Sequence, residues 1–188
     1  MADPHANSSP MLRLAILRHA EAVPVAAGGD FERQLSRSGL DMAERMGRYF
    51  RDAGLKPDLA LVSPSKRTRE TLEGVERGAG ETFAAHYLPE LYSASLATLE
   101  EALAEAPKEA KFLLIIGHNP GLAELAIALA GKGKKSELAR MRGHFPTPCL
   151  AVIEFEAKSW KKATRGEGKL ELFVTRGALA KARGALAK

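Results

Sequence analysis

Two arginines, two histidines and a helix-start signal stand directly behind the most apolar runs of this 188-residue chain. Arg18-His19 follows Leu12 to Leu17, Ser63-Pro64 leading to Arg67 follows Leu59 to Val62, and Gly117-His118-Asn119 follows Phe112 to Ile116. In an open α/β sheet the ligand crevice lies beyond the carboxyl ends of the strands, so neighbouring strands would gather these groups at one point. Guanidinium forks match the oxygens of a phosphoryl group. In Asn119-Pro120, Asn reads as the cap and Pro as the first helical residue, and the helix they open would add backbone N–H groups and a positive dipole end. A neutral imidazole can attack phosphorus through one ring nitrogen while a carbonyl holds the N–H of the other. Flanking arginines keep such a ring neutral, because like charge disfavours protonation. These residue types fit phosphoryl transfer, which asks of a protein an in-line nucleophile and charge stabilisation.

The elements that must place these groups can be read from periodicity. Leu12 to Leu17 reads as a buried strand. Ser36 or Ser38 caps a helix whose Ala43, Met46, Gly47 and Phe50 share one face and which Gly54 ends. Leu59 to Val62 is a second strand, and a second helix carries Thr68, Leu72, Val75 and Ala79, closed by Gly78 and Gly80. Thr82 to Tyr87 is a weakly patterned third strand, a further helix runs near Leu96 to Ala106, and Phe112 to Ile116 belongs at the sheet centre. Leu122, Leu125, Ala126 and Leu129 face one side of the helix after Asn119. The stretch around Gly28-Gly29, Ala26 to Asp30, reads as a flexible connection, residues 132–148 as a mobile basic loop, and Leu150 to Phe155 with Leu170 to Thr175 as an antiparallel hairpin. The alternation predicts one α/β domain over 11–176 on a mostly parallel sheet with an antiparallel edge, a disordered arm at 1–10 and a basic tail at 177–188.

Composition narrows the function classes. The chain is 45% hydrophobic and 27% charged, which is globular. Its longest apolar runs fall well short of the roughly 20 residues of a membrane span. Residues 1–157 hold 19 Lys and Arg against 21 Asp and Glu, whereas 158–188 hold 9 against 2, so the net charge of +5 belongs to the tail. With only Trp160 and Phe173 among those basic residues, nucleic-acid binding is disfavoured. The first ten residues lack a basic region followed by an apolar stretch, and Cys149 has no second cysteine, which together predict a cytoplasmic, reducing setting. Neither His5, His86 nor His144 has partners at metal-ligand spacing, so no metal is expected.

Leu17-Arg18-His19-Ala20-Glu21 resembles the Arg-His-Gly opening of the histidine phosphatase superfamily, with Ala20 where the superfamily usually has Gly. Ser63 to Thr71 resembles its second motif and Gly117-His118-Asn119-Pro120 its third. The resemblance spans about residues 11–176. The short length, the Gly-His-Asn-Pro form and Leu88-Pro89-Glu90-Leu91 are most similar to its SixA-type branch, small protein phosphohistidine phosphatases. It implies a phosphoglycerate-mutase-like α/β/α sandwich and a cofactor-independent reaction through a phosphohistidine on His19, with Arg18, Arg67 and His118 around the phosphoryl oxygens. Asn119 joins the expected phosphate contacts, and Glu90 is the best candidate for a proton donor, with Glu21 behind it. The expected protein is a monomer acting on a phosphorylated protein. The alternatives are a phosphatase of a small phosphomonoester, such as a nucleotide or sugar phosphate, and a phosphate-binding adaptor without turnover.

Overall fold

Alternation along the strands splits the apolar core in two, because successive side chains of a strand point to opposite faces. The computed structural model describes residues 11–165 and 167–179, so the expected arm and residues 180–188 of the tail lie outside the described residues. In chain order the elements are β1 (Met11–Arg18), α1 (Arg37–Asp52), β2 (Leu59–Val62), α2 (Lys66–Ala79), β3 (Ala85–Tyr87), α3 (Leu96–Ala104), β4 (Phe112–Gly117), α4 (Gly121–Leu129), β5 (Ala130–Gly133), α5 (Lys135–Gly143), β6 (Cys149–Glu156), α6 (Trp160–Ala163) and β7 (Gly168–Thr175). Leu12, Leu14 and Ile16 of β1 point, with Leu113 and Ile115 of β4, toward α3, α4 and α5. Ala15, Leu17, Leu114 and Ile116 point the other way, onto Met46 and Phe50 of α1 and Leu72 and Val75 of α2. The result is a three-layer α/β/α sandwich.

The sheet order is β3-β2-β4-β1-β6-β7-β5. Parallel pairing joins β3 to β2, β2 to β4, β4 to β1 and β7 to β5, and β6 alone runs against its neighbours β1 and β7. The β6–β7 hairpin forms as its sequence suggests, but it stands inside the sheet, and the edge beyond it is β5. This edge strand and α5 occupy the segment expected to be a mobile loop. Ala-Gly-Lys-Gly carries no apolar alternation, and three of its four residues are exposed, so only pairing with β7 marks it as a strand. Between β6 and β7 the short α6 replaces the expected turn, and the Trp160 indole N–H donates to the Ala110 carbonyl at 2.8 Å. Residues 176–179 continue past β7 in a helical turn with Leu179 buried against the α1–α2 layer, so the packed chain extends beyond the expected boundary at 176.

Helices α1 and α2 approach closely because glycine lines their contact. A Cβ on Gly78 would fall 1.9 Å from the Glu44 carbonyl oxygen, and one on Gly47 would fall 2.0 Å from that of Val75. Gly78 is therefore a packing residue within α2, while Gly80, at φ +70°, makes the left-handed turn that ends it. The Ser36 hydroxyl caps α1 by accepting from the Gly39 N–H at 3.0 Å. Among the described residues no helix is long and apolar enough to cross a membrane.

Candidate active site

Three neighbouring parallel strands end level with one another. Leu17 of β1 and Val62 of β2 both pair with Ile116 of β4, and Arg18 pairs with Gly117. The next residues, His19, Ser63 and His118, therefore emerge side by side at the carboxyl edge of the sheet, where the sequence places a ligand crevice. All three are buried, as is Arg67 in the first turn of α2.

The two imidazoles stand 5.3 Å apart between ring centroids. His19 Nδ1–H donates to the Ala20 carbonyl oxygen at 2.7 Å, which leaves the lone pair on Nε2. Ala20 fits this position without strain. Among the described residues Ser93 is the non-glycine with positive φ, and the Ala20 methyl packs in a small cluster with Leu35 and Ala43. Its N–H donates to Thr71 Oγ1 at 3.0 Å, tying the first motif to the second. His118 has the opposite tautomer. Its Nδ1 accepts from the Arg67 NH2 nitrogen at 3.3 Å, so the proton is on Nε2, which donates to Ser63 Oγ at 2.8 Å. Ser63, read from sequence as a turn residue, also holds this ring.

Each arginine is anchored through a terminal nitrogen. Arg18 NH1 donates to the Phe145 carbonyl at 2.7 Å, and Asn119 Nδ2 donates to the same oxygen at 3.0 Å. Asn119 thus reaches across to the chain entering β6 and does not cap α4, which starts at Gly121 with Pro120 in the cap position. Arg67 NH1 donates to the Asp30 carbonyl at 2.6 Å and NH2 to Asp30 Oδ2 at 3.0 Å. In both arginines Nε is buried without a hydrogen-bond partner among the described residues, as is Asn119 Oδ1. Two buried N–H groups of this kind suit an oxyanion.

Sequence reading missed the carboxylate that enters this network. Asp30 accepts from Arg33 Nε at 2.8 Å and from the Tyr92 hydroxyl at 2.6 Å, so the stretch expected to be flexible is strapped to α2 and to the loop after β3. These donors, Tyr92 first and then the arginines, hold the Asp30 carboxyl well below the usual carboxylate range. The Tyr92 ring meets His118 edge-on at 5.5 Å and Phe31 at 5.1 Å. Glu90 is exposed on the turn Pro89–Leu91, two residues before Tyr92, and outside this network. Glu21 accepts from Ser36 and Arg176 at the rim. The spacing of Asp30 and Arg33, three apart behind Gly28-Gly29, was the available signal for a structured turn.

Burial lowers the His19 pKa from 6.5 to about 4, with the charges of Arg67, Arg18 and Arg33 adding to it against the Ala20 hydrogen bond. His118 falls to about 3, again through burial first and then through His19 and Arg67. Sequence reading credited the arginines, but desolvation leads. Both rings are neutral at pH 7, and the linkage has a definite sign. The unfolded chain binds more protons than the folded one below the ordinary value of 6.5, so stability is full above that pH and is lost as pH falls toward 4. Calorimetry across that window is expected to show a melting temperature level above about pH 6.5 and declining below it. A level curve through the window would mean that the rings titrate normally.

Comparison with known proteins bears on the family and the fold. The profile of the histidine phosphatase superfamily (branch 1) matches residues 14–101, which hold the first two motifs. An uncharacterised protein of Mycobacterium tuberculosis is 31% identical over 139 residues, covering 73% of this chain and 85% of that protein. The solved SixA protein of Agrobacterium tumefaciens superposes with a TM-score of 0.73 at 29% identity, over 87% of this chain and 97% of that one. The protein histidine phosphatase SixA solved with tungstate has a TM-score of 0.71 at 23% identity, again over 87% and 97%. Sequence and architecture meet on one conclusion: the chain belongs to the histidine phosphatase superfamily, as a phosphatase of SixA type.

Proposed function

We propose that the protein removes phosphoryl groups from phosphohistidine on a partner protein, with His19 as nucleophile. The His19 Nε2 lone pair attacks phosphorus, the bond from phosphorus to the substrate's imidazole breaks, and that ring, already protonated from water on its other nitrogen, leaves as neutral imidazole. Water then attacks the phosphorus on His19, the bond to Nε2 breaks, and inorganic phosphate departs. Arg18 and Arg67 stabilise the equatorial oxygens through their buried Nε–H groups, and Asn119 and His118 complete the surround, the His118 Nε2–H by exchanging Ser63 Oγ for a phosphoryl oxygen.

The observation that carries the substrate reading is the ionisation of Asp30. It is the carboxylate hydrogen-bonded to Arg67 beside the histidines, and its donors keep it charged, so it supplies no proton to a leaving group. An imidazole leaves more readily than an alkoxide and needs such an acid less. The second reading is a small phosphomonoester, with exposed Glu90 as the donor that an alkoxide requires. A mycobacterial glucosyl-3-phosphoglycerate phosphatase shares the fold at 14% identity and a lower TM-score of 0.57. A side-by-side assay of a phosphohistidine-bearing domain and a panel of nucleotide and sugar phosphates tests the choice. The higher kcat/KM is expected on the phosphoprotein, with Glu90→Gln leaving it unchanged. A metabolite preferred over the phosphoprotein, with turnover lost in Glu90→Gln, reverses the assignment.

A further inference from the structure

A carboxylate on an exposed turn grips a buried arginine of the active site, and the grip continues to a histidine. The turn Asp30–Glu32 contains no buried residue, and the Asp30 side chain is 53% exposed, whereas that of Arg67 is 4% exposed. The carboxylate side of the pair is open to water and screened, so the pair is a weaker device for holding the fold than a fully enclosed one. It is a strong one for orienting a guanidinium. Asp30 presents its backbone carbonyl to NH1 and its Oδ2 to NH2, which fixes the plane of the fork. The second hydrogen on NH2 points to His118 Nδ1 and sets that ring's tautomer, and Nε–H remains for the phosphoryl group.

Asp30 is itself held from two sides. Arg33 Nε occupies Oδ1 and the Tyr92 hydroxyl occupies Oδ2. Tyr92 also places its ring against His118 and beneath the Arg67 guanidinium, 5.9 Å from ring centroid to Cζ. A hydrogen-bonded chain therefore runs from Tyr92 through Asp30 and Arg67 to His118 and Ser63, joining loops that lie 62 residues apart in sequence.

We propose that Asp30 and Tyr92 are positioning residues for phosphoryl transfer, acting through Arg67 on His118. This rests on the reading above, in which Arg67 and His118 meet the phosphoryl group. An amide at position 30 offers one acceptor oxygen where the carboxylate serves three donors, and its NH2 group would face one of them. The Tyr92→Phe variant keeps the ring against His118 and removes only the donor to Asp30.

The test compares wild type, Asp30→Asn, Tyr92→Phe and the double variant on an aryl phosphate, with tungstate as an oxyanion probe and thermal melting as the control for folding. Misplacing a group that acts in the transition state lowers kcat more than it raises KM. Asp30→Asn is expected to lose about tenfold to a hundredfold in kcat with weakened tungstate inhibition. Tyr92→Phe is expected to lose several-fold, and the double variant to be no slower than Asp30→Asn, because both changes act on one guanidinium. Melting temperatures stay within a few degrees of wild type.

Unchanged kcat, fully multiplicative losses in the double variant, or a drop in activity that merely follows a drop in melting temperature would each overturn the proposal. Tighter tungstate binding by Asp30→Asn would also overturn it, since Asp30 would then be a competitor for Arg67. Labelling of His19 from a radiolabelled phosphoryl donor separates the two levels. A wild type that never labels removes the phosphohistidine reading together with this proposal, whereas Asp30→Asn labelling at the wild-type rate removes the proposal alone.

Discussion

His19→Ala is expected to yield a folded protein that releases no phosphate, with kcat reduced by about 10⁴-fold or more. The ring is buried and contributes a single hydrogen bond, from Nδ1 to the carbonyl of the next residue, so its removal leaves the sheet and both helical layers intact. It removes, however, the nitrogen with a free lone pair at the level end of β1, β4 and β2, and with it the covalent intermediate. Neither the arginines nor neutral His118 supplies a substitute, because guanidinium has no lone pair to offer and the His118 Nδ1 is already an acceptor. The assay is hydrolysis of an aryl phosphate in the presence of EDTA, paired with acid-quench labelling. Activity of the variant near the wild-type level would end the mechanism. A wild type that labels and then holds its phosphoryl group would instead indicate an adaptor without turnover.

Gly78→Ala is expected to be among the most damaging added methyls at the described glycines. The added carbon would sit 1.9 Å from the Glu44 oxygen and 2.8 Å from the Arg48 nitrogen, both backbone atoms, so a rotamer change cannot relieve it. The helices must separate, at a cost of about 3 kcal/mol or more. Alanine's better helix propensity returns about 1 kcal/mol of that. A domain of this size is expected to lose several degrees in melting temperature for the remainder of about 2 kcal/mol, roughly 4 to 8 °C. Because Arg67 opens α2 and Thr71 reaches from it to Ala20, the displacement also loosens the site, and turnover measured well below the melting point falls as well. A melting temperature equal to wild type would mean that the α1–α2 contact is less tight than its backbone distances imply.

What sequence made legible was local. Each of the apolar runs Leu12 to Leu17, Leu59 to Val62 and Phe112 to Ile116 is a strand whose polar successor is displayed at its end, and parallel neighbours then bring those successors together. Arg18, His19, Arg67 and His118 could be nominated in this way because each stands within a few residues of a strand that announces itself. Asp30 and Tyr92 could not, since what they do depends on partners 37 and 62 residues away along the chain. A double glycine before Asp30 signals bending, and only the closed structure shows a carboxylate seated on a guanidinium there. The β5–α5 segment escaped for a different reason. An edge strand of glycine and lysine has no buried face to print a pattern, so its lysines suggested a solvated loop. The cause of the imidazole shifts was misjudged similarly, because charged neighbours can be counted along a chain and burial cannot.

Cys149, the first residue of β6, pairs in register with Arg18, and its thiol is fully buried, with burial pushing its pKa well above the ordinary thiol value. Sulfur therefore stands next to the phosphoryl chemistry and takes no part in it, as an inert filler with no thiolate to offer. Phosphatases that rely on a cysteine nucleophile are silenced by peroxide. With His19 as the proposed nucleophile and the chain's one sulfhydryl sealed in the sheet, turnover is expected to survive peroxide concentrations that stop those enzymes, and loss of activity at such concentrations would count against an imidazole nucleophile.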